Sequence, residues 1–212
     1  MSLLTDRIAW LGHAGFRFSG SRVVYFDPWE AGGLTADLIL ITHDHFDHCD
    51  PATVKALAGP QTRIVTEPAS AAKLKDEGLE LQATVMKPGD ELEISGVRVK
   101  AVPAYNTNKD FHPRAKNYLG FVATMDGLSV YHAGDTDHIP EMKGIKAQAA
   151  LLPVSGTYVM TAEEAVQAAL DLEPELIVPM HFGKIVGDEE MAKAFAAALA
   201  GRLTVDIKSI AK

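Results

Sequence analysis

The run ITHDHFDHCD places His43, His45, Asp47 and His48 within six residues, directly after the apolar segment ADLILI at 36–41. That segment reads as a short buried strand, bounded upstream by Gly32-Gly33 and downstream by Asp50-Pro51. Side chains two apart on a strand point the same way, so His43 and His45 can reach one ion together. Asp47 and His48 lie where the chain turns and can face a second ion. Imidazole with carboxylate suits Zn, Mn, Fe or Ni better than Mg or Ca. A solvated polar loop is the plain alternative, but three imidazoles and a carboxylate rarely crowd one strand end without a metal.

Composition sets the outer limits. The 212 residues fit one domain, 1–212, and 47% hydrophobic with 23% charged residues is ordinary globular usage. No apolar run approaches the roughly 18 residues that cross a bilayer. The start, MSLLTDRIAWLGH, has no basic region followed by a long apolar stretch, so no signal peptide is expected. The single cysteine, Cys49, cannot form an internal disulfide, which fits a cytoplasmic location. A net charge of −8 argues against nucleic-acid and anionic-membrane partners. Two divalent ions would offset about half of it. A small-molecule substrate is the expected partner, and self-association into a homo-oligomer is left open.

Along the chain, residues 7–18 alternate and cross a Gly20-Ser21 turn into 22–26, which reads as a hairpin. Helices are expected at 52–57, where Asp50 caps and Pro51 opens the first turn, and at 69–77 before Gly78. Thr161 with Glu164 makes a capping box for a helix to about 172, and an Ala-rich helix runs over 189–200. Strands are expected at 63–66, 81–86, 91–94, 97–102, 118–125, 128–132, 149–154, 176–180 and 203–207. Residues 104–117 form a long loop with no apolar period, a length that is usually functional. Each half runs from strands into helix–strand units, so the expected class is α/β (α+β): two mixed sheets face to face with helices outside, four layers in all.

Two further strand ends carry polar residues: Asp135 in HAGDTD and His181 after LIVPM. A carboxylate can offer one oxygen to each of two ions. THDHFDH, AGDTD and PMHFG, in this order, resemble the metallo-β-lactamase fold superfamily. WLGHAGFRF and YFDPW resemble its metal-dependent hydrolase branch, which includes proteins like ascorbate-6-phosphate lactonase and N-acyl phosphatidylethanolamine phospholipase D. The resemblance implies that His43 and His45 belong to one metal site, Asp47, His48 and His181 to a second, and that Asp135 bridges them. It also implies a third histidine for the first site, from the loop after a VPA-like segment. Here that loop reads VPAYNTNKDFH, with Asn106 at the expected position. An amide oxygen is a weaker donor than imidazole. Either His112 folds back into the place, or the first site is completed by water and left weak.

Around the ligands, Asp27 can accept the free N–H of a ligating imidazole, or serve only as an Asp-Pro turn residue. His13 can line the site or be a satisfied core histidine. Tyr158 can present its phenol to a developing oxyanion, or be an ordinary buried tyrosine. His132 and His138 are not expected to ligate, and Cys49 reads as a small packed residue. The function implied is a zinc-dependent hydrolase, with Mn, Fe or Ni as alternatives and one ion or two. Metal-bound hydroxide would attack an ester, lactone or phosphodiester, with Asp47 orienting it. Lys109, Arg114 and Lys116 in the 104–117 loop suit an anionic substrate; a solvated charged loop is the alternative. His45 stands where a diiron reductase of this fold would want a carboxylate. A metal or ligand sensor that kept the fold without turnover is the reading from a different class.

Overall fold

The computed structural model describes residues 3–79 and 83–211. Two six-stranded sheets face each other. The first runs in chain order through β1 (Ile8–Gly12), β2 (Gly15–Ser19), β3 (Val23–Phe26), β4 (Ala36–Leu40), β5 (Ala58–Thr66) and β6 (Ala83–Val85). The second is ordered β12-β11-β10-β9-β8-β7, from β7 (Glu91–Ile94), β8 (Val97–Pro103), β9 (Leu119–Met125), β10 (Leu128–His132), β11 (Ala149–Pro153) and β12 (Leu176–Met180). Both sheets are mixed: β1–β2–β3 is antiparallel and β3–β4–β5–β6 parallel, while β7–β8–β9–β10 is antiparallel and β10–β11–β12 parallel.

The period-2 pattern divides the core. Val24, Phe26, Leu38 and Leu40 point inward against Val99, Ala101, Phe121, Ala123 and Val130 of the second sheet. Their neighbours Tyr25, Ile39 and Ile41 point outward and pack with Val54 and Leu57 of α2 (Pro51–Leu57) and Leu74 of α3 (Pro68–Asp76). On the far side, α4 (Ala162–Leu172) and α5 (Glu189–Ala198) cover β11 and β12 with Ala165, Ala169, Leu172, Ala192 and Phe195. A short α1 (Leu3–Arg7), not anticipated from the sequence, precedes β1. The Asp50 cap on Ala52 N–H and the Thr161–Glu164 capping box are both present.

Several boundaries differ from expectation. Residues 7–18 form two strands, because Gly12 and His13 take φ of 102° and 52° and turn the chain back. The strand expected at 63–66 begins at Ala58, and Glu67 caps the following helix. Of the strand expected over 81–86, residues 81 and 82 lie outside the described residues. No ladder forms at 203–207: Val205 makes a single bridge to Ile177, and the tail leaves to lay Ile210 beside Trp10 of β1. A segment that crosses from one sheet to the other cannot follow β12. The 104–117 loop holds a 3₁₀ turn at Arg114–Lys116.

The topology creates the site. β3 and β4 run parallel, and so do β10, β11 and β12; β8 shares their direction because both it and β10 oppose β9. Ligands collect at the carboxyl ends of such strands. Here those ends deliver Asp27, His43, Asn106, Asp135, Ser155 and His181 to one edge of the sandwich.

Candidate metal centre

Three imidazoles converge at the first position. His45 Nδ1 lies 3.1 Å from His43 Nε2 and 3.2 Å from His112 Nε2. A tetrahedral ion bonded to nitrogen at about 2.0–2.1 Å separates its donor atoms by about 3.3–3.4 Å. His112 is buried and occupies the third position; Asn106 stands behind it. Asn106 Oδ1 accepts from the His112 backbone N–H at 2.9 Å and faces Nδ1 of the ring at 3.1 Å. Asn106 Nδ2 donates to Asp137 Oδ1 and to the Tyr158 carbonyl. Asn106 therefore orients the imidazole that stands where the resemblance placed a histidine at 106. Burial lowers the His43 and His112 pKa values, keeping their lone pairs available.

At the second position, ligand atoms of Asp47, His48, His181 and His13 all lie within 4.8 Å of one another. His48 Nδ1 donates to Asp27 Oδ2 at 2.7 Å, and Asp27 Oδ1 accepts from Thr42 N–H at 2.8 Å. Ser155 Oγ lies 3.1 Å from His181 Nδ1. Each contact turns the far ring nitrogen, Nε2, toward the cluster. His13 Nε2 donates to Asp47 Oδ2 at 2.9 Å. Burial works to raise the Asp47 pKa, but His13 and His48 outweigh it and hold it at about 2. Burial likewise opposes the charged form of His48, yet the Asp135 and Asp27 carboxylates hold its pKa well above the ordinary value.

Asp135 stands between the two positions. Its Oδ2 lies 3.4 Å from His112 Nε2, 4.0 Å from His43 Nε2 and 3.1 Å from His181 Nε2, and Oδ1 lies 3.3 Å from His48 Nε2. Burial would raise its pKa, but His181 and His48 hold it well below the carboxylate range. Gly134 makes this approach possible: with φ 65°, a Cβ there would stand 2.7 Å from the Leu119 carbonyl. The ligand run itself is braced by Lys73, whose Nζ donates to the Asp44 and Cys49 carbonyls at 3.1 and 2.6 Å. Tyr118 adds a second brace, donating to Asp44 Oδ1 with its ring 5.0 Å from that of His43.

A family described as the beta-lactamase superfamily domain matches residues 7–181. The chain belongs to this family. A UPF0173 metal-dependent hydrolase of Thermoplasma acidophilum is 36% identical over 206 residues, covering 90% of each chain. Another, from Methanoculleus marisnigri, is 39% identical over 187 residues, covering 83% of this chain and 80% of that one. The crystal structure of a Parabacteroides distasonis protein described as a metal-dependent hydrolase superposes with a TM-score of 0.84 at 34% identity, over 96% of this chain and 93% of that one. The fold is that of the metallo-β-lactamases, and the relatives are metal-dependent hydrolases.

The residues present fit the metal this family implies. Among the described residues, His48 Nε2, His181 Nε2 and Asp135 Oδ1 are buried without a hydrogen-bond partner. Buried polar atoms without hydrogen-bond partners are costly, and three of them clustered around Asp135 fit a bound cation. Beside them opens a cavity of about 260 Å³ lined by His45, Asp47, His112 and Asp135 together with Phe46, Phe111, Tyr158 and Ile185.

Other expected contributors lie elsewhere. Lys109 donates to buried Asp137 at 2.6 Å, and Arg114 pairs with Glu141 at 2.8 Å over the Tyr105 ring. Neither lines the cavity, because acidic partners from the 135–141 segment hold both. His132 is structural, its Nε2 donating to the Ala14 carbonyl and its ring stacked on Phe26, and His138 pairs with Asp171. Sequence reasoning missed Ser155, Tyr118, Lys73 and Asp137. Only Asp137 carried a local signal, two residues after Asp135 in GDTD. No helix among the described residues is long and apolar enough to cross a membrane.

Proposed function

We propose that the chain is a zinc-dependent hydrolase with a two-ion centre, acting on an ester, lactone or phosphodiester bond of a small substrate. The observation that carries this reading is Asp135, whose carboxylate lies within 4.0 Å of ring nitrogens of His43, His112, His48 and His181. His43, His45 and His112 would hold one ion, and Asp47, His48 and His181 the other, with Asp135 shared. Bound divalent metal lowers the pKa of water to about 7 and polarises the oxygen of the scissile group.

The protein's own residues set the geometry. Asp47 lines the cavity as an anion held by His13, placed to accept a hydrogen bond from the attacking water. Asp27, Ser155 and Asn106 hold their imidazoles in orientation. Tyr158, on the cavity wall, is the candidate donor to charge developing on the substrate oxygen.

Metal content per chain, with anomalous scattering to place each ion, tests the centre and separates zinc from Mn, Fe and Ni. Turnover of lactones, phosphodiesters and thioesters, abolished by Asp135→Ala, tests the reaction. Stoichiometric ligand binding without turnover under every metal would replace this reading with a sensor.

A further inference from the structure

Around the candidate centre, the cavity walls are apolar. Phe46, Phe111 and Ile185 are 62%, 51% and 40% exposed, and all three line the one opening. Such side chains left in water around a single mouth mark a binding surface for an apolar ligand. They are held in place: Phe111 stands edge-on to Tyr158 at 4.6 Å, and Phe46 edge-on to Trp29 at 5.8 Å. Phe111 owes its position to the ligand loop. Asn106 N–H donates to the His112 carbonyl and Asn106 Oδ1 accepts from His112 N–H, so the chain closes on itself and residue 111 is turned out at the mouth.

The nearby cations are already engaged. Lys109 is held by Asp137, Arg114 by Glu141, and Lys184 by Glu30 at 3.0 Å while lying over the Trp29 ring. Metal ions at the floor would attract one polar group of a substrate. Among the described residues, no cation lines the walls to hold a second charge on its body.

We infer, building on the hydrolase reading above, that the substrate is an uncharged carboxylic ester or lactone whose apolar body sits between Phe46, Phe111, Tyr158 and Ile185. A cavity of about 260 Å³ is at the small end for ligand sites. It has room for roughly nine groups of water or methylene size. In the reaction the water oxygen bonds to the acyl carbon as the acyl C–O bond breaks. One water proton ends on the departing alcohol oxygen, and the other is released as the acid product ionises.

The test is hydrolysis of 4-nitrophenyl esters from acetate to octanoate by the zinc-loaded protein, with the hemisuccinate as the anionic counterpart of the butyrate. kcat/KM is expected to rise roughly three- to four-fold per methylene until the cavity is full. The hemisuccinate is expected at least ten-fold below the butyrate. Phe111→Ala, a change at a half-exposed position, should lower the octanoate-to-acetate ratio roughly ten-fold through KM. A flat chain-length profile, or preference for the hemisuccinate, overturns the inference and leaves hydrolysis intact. Should no ester turn over, calorimetry with neutral 4-phenyl-2-butanone and anionic 4-phenylbutyrate on the metal-free protein separates the two readings. Tighter binding of the ketone than of the phenylbutyrate, weakened by Phe111→Ala, supports the apolar pocket. Absence of ketone binding, or preference for the anion, overturns it, while the hydrolase reading stands or falls separately on lactones, phosphodiesters and thioesters.

Discussion

Replacing Asn106 with alanine tests whether the loop from 106 to 112 holds His112 as a ligand. The truncation removes the Oδ1 acceptor of the His112 N–H at 2.9 Å and the Nδ2 bonds to Asp137 and the Tyr158 carbonyl at 3.1 and 2.9 Å. Some partners keep other contacts: His112 Nδ1 retains the Tyr158 carbonyl at 3.2 Å, and Asp137 retains Thr107 N–H at 2.7 Å. The backbone N–H of buried His112 does not. One orphaned buried donor costs about 1–3 kcal/mol and the two lost Nδ2 bonds about 1 each, so unfolding should become easier by roughly 3–5 kcal/mol.

The metal effect is separable from that loss. Removing the group that orients a ligating imidazole typically lowers affinity 10–100-fold, about 1.4–2.7 kcal/mol. Competition with a chromophoric chelator should therefore show one zinc equivalent weakened by that factor, and the other, which Asp47, His48 and His181 would hold, within two-fold of wild type. Two unchanged equivalents in Asn106→Ala would refute the reasoning. So would His112→Ala retaining both.

Gly134→Ala should destabilise the fold by about 1–3 kcal/mol and lower metal content, since its Cβ would meet the Leu119 carbonyl at 2.7 Å at a φ of 65°; denaturant titration checks the first effect and elemental analysis the second. Burial holds the His132 pKa below its ordinary value, so at acid pH the unfolded chain takes up a proton that the folded chain refuses. Its contribution to stability is complete above about pH 6.5 and falls as pH drops below that. His132→Gln, which keeps a donor for the Ala14 carbonyl, should flatten the slope of unfolding midpoint between pH 5 and 6.5; an unchanged slope would remove His132 as its source. The Cys49 thiol is fully buried, and burial pushes its pKa up to about 12, so a disulfide reagent at pH 8 should label it only upon unfolding.

The parts legible in the sequence are those written in local periodicity. Leu38 and Leu40 against Ile39 and Ile41 announce a strand buried on both faces, and the histidines that follow it can only emerge at its end. The capping box at Thr161 and the Asp126-Gly127 turn, with φ 53° and 76°, are likewise short-range signals. What failed depends on distant partners. Lys109 meets Asp137 across 28 residues and Arg114 meets Glu141 across 27, so their charges looked free when read along the chain. The 203–207 segment satisfied a strand's pattern but is drawn away by the bridge of Ile210 to Trp10. The cavity walls were closer to legibility, because Phe46 and Phe111 each adjoin a candidate ligand.

That adjacency links ligand choice to what the site can admit. A histidine at 106 would place its imidazole at the carboxyl end of β8 with no need for the rest of the loop. With asparagine there, the imidazole arrives from 112, and the two bonds between Asn106 and His112 draw the intervening residues into a closed turn. The same closure presents Phe111 to the mouth and sends Lys109 back to Asp137. The placing of His112, the exposure of Phe111 and the engagement of Lys109 thus follow from one loop conformation. Asn106→Ala should therefore disturb zinc affinity and acyl-chain preference together, whereas Phe111→Ala should move chain preference alone. Retention of chain preference in an Asn106→Ala protein that has lost its weaker zinc would show that the two are independent.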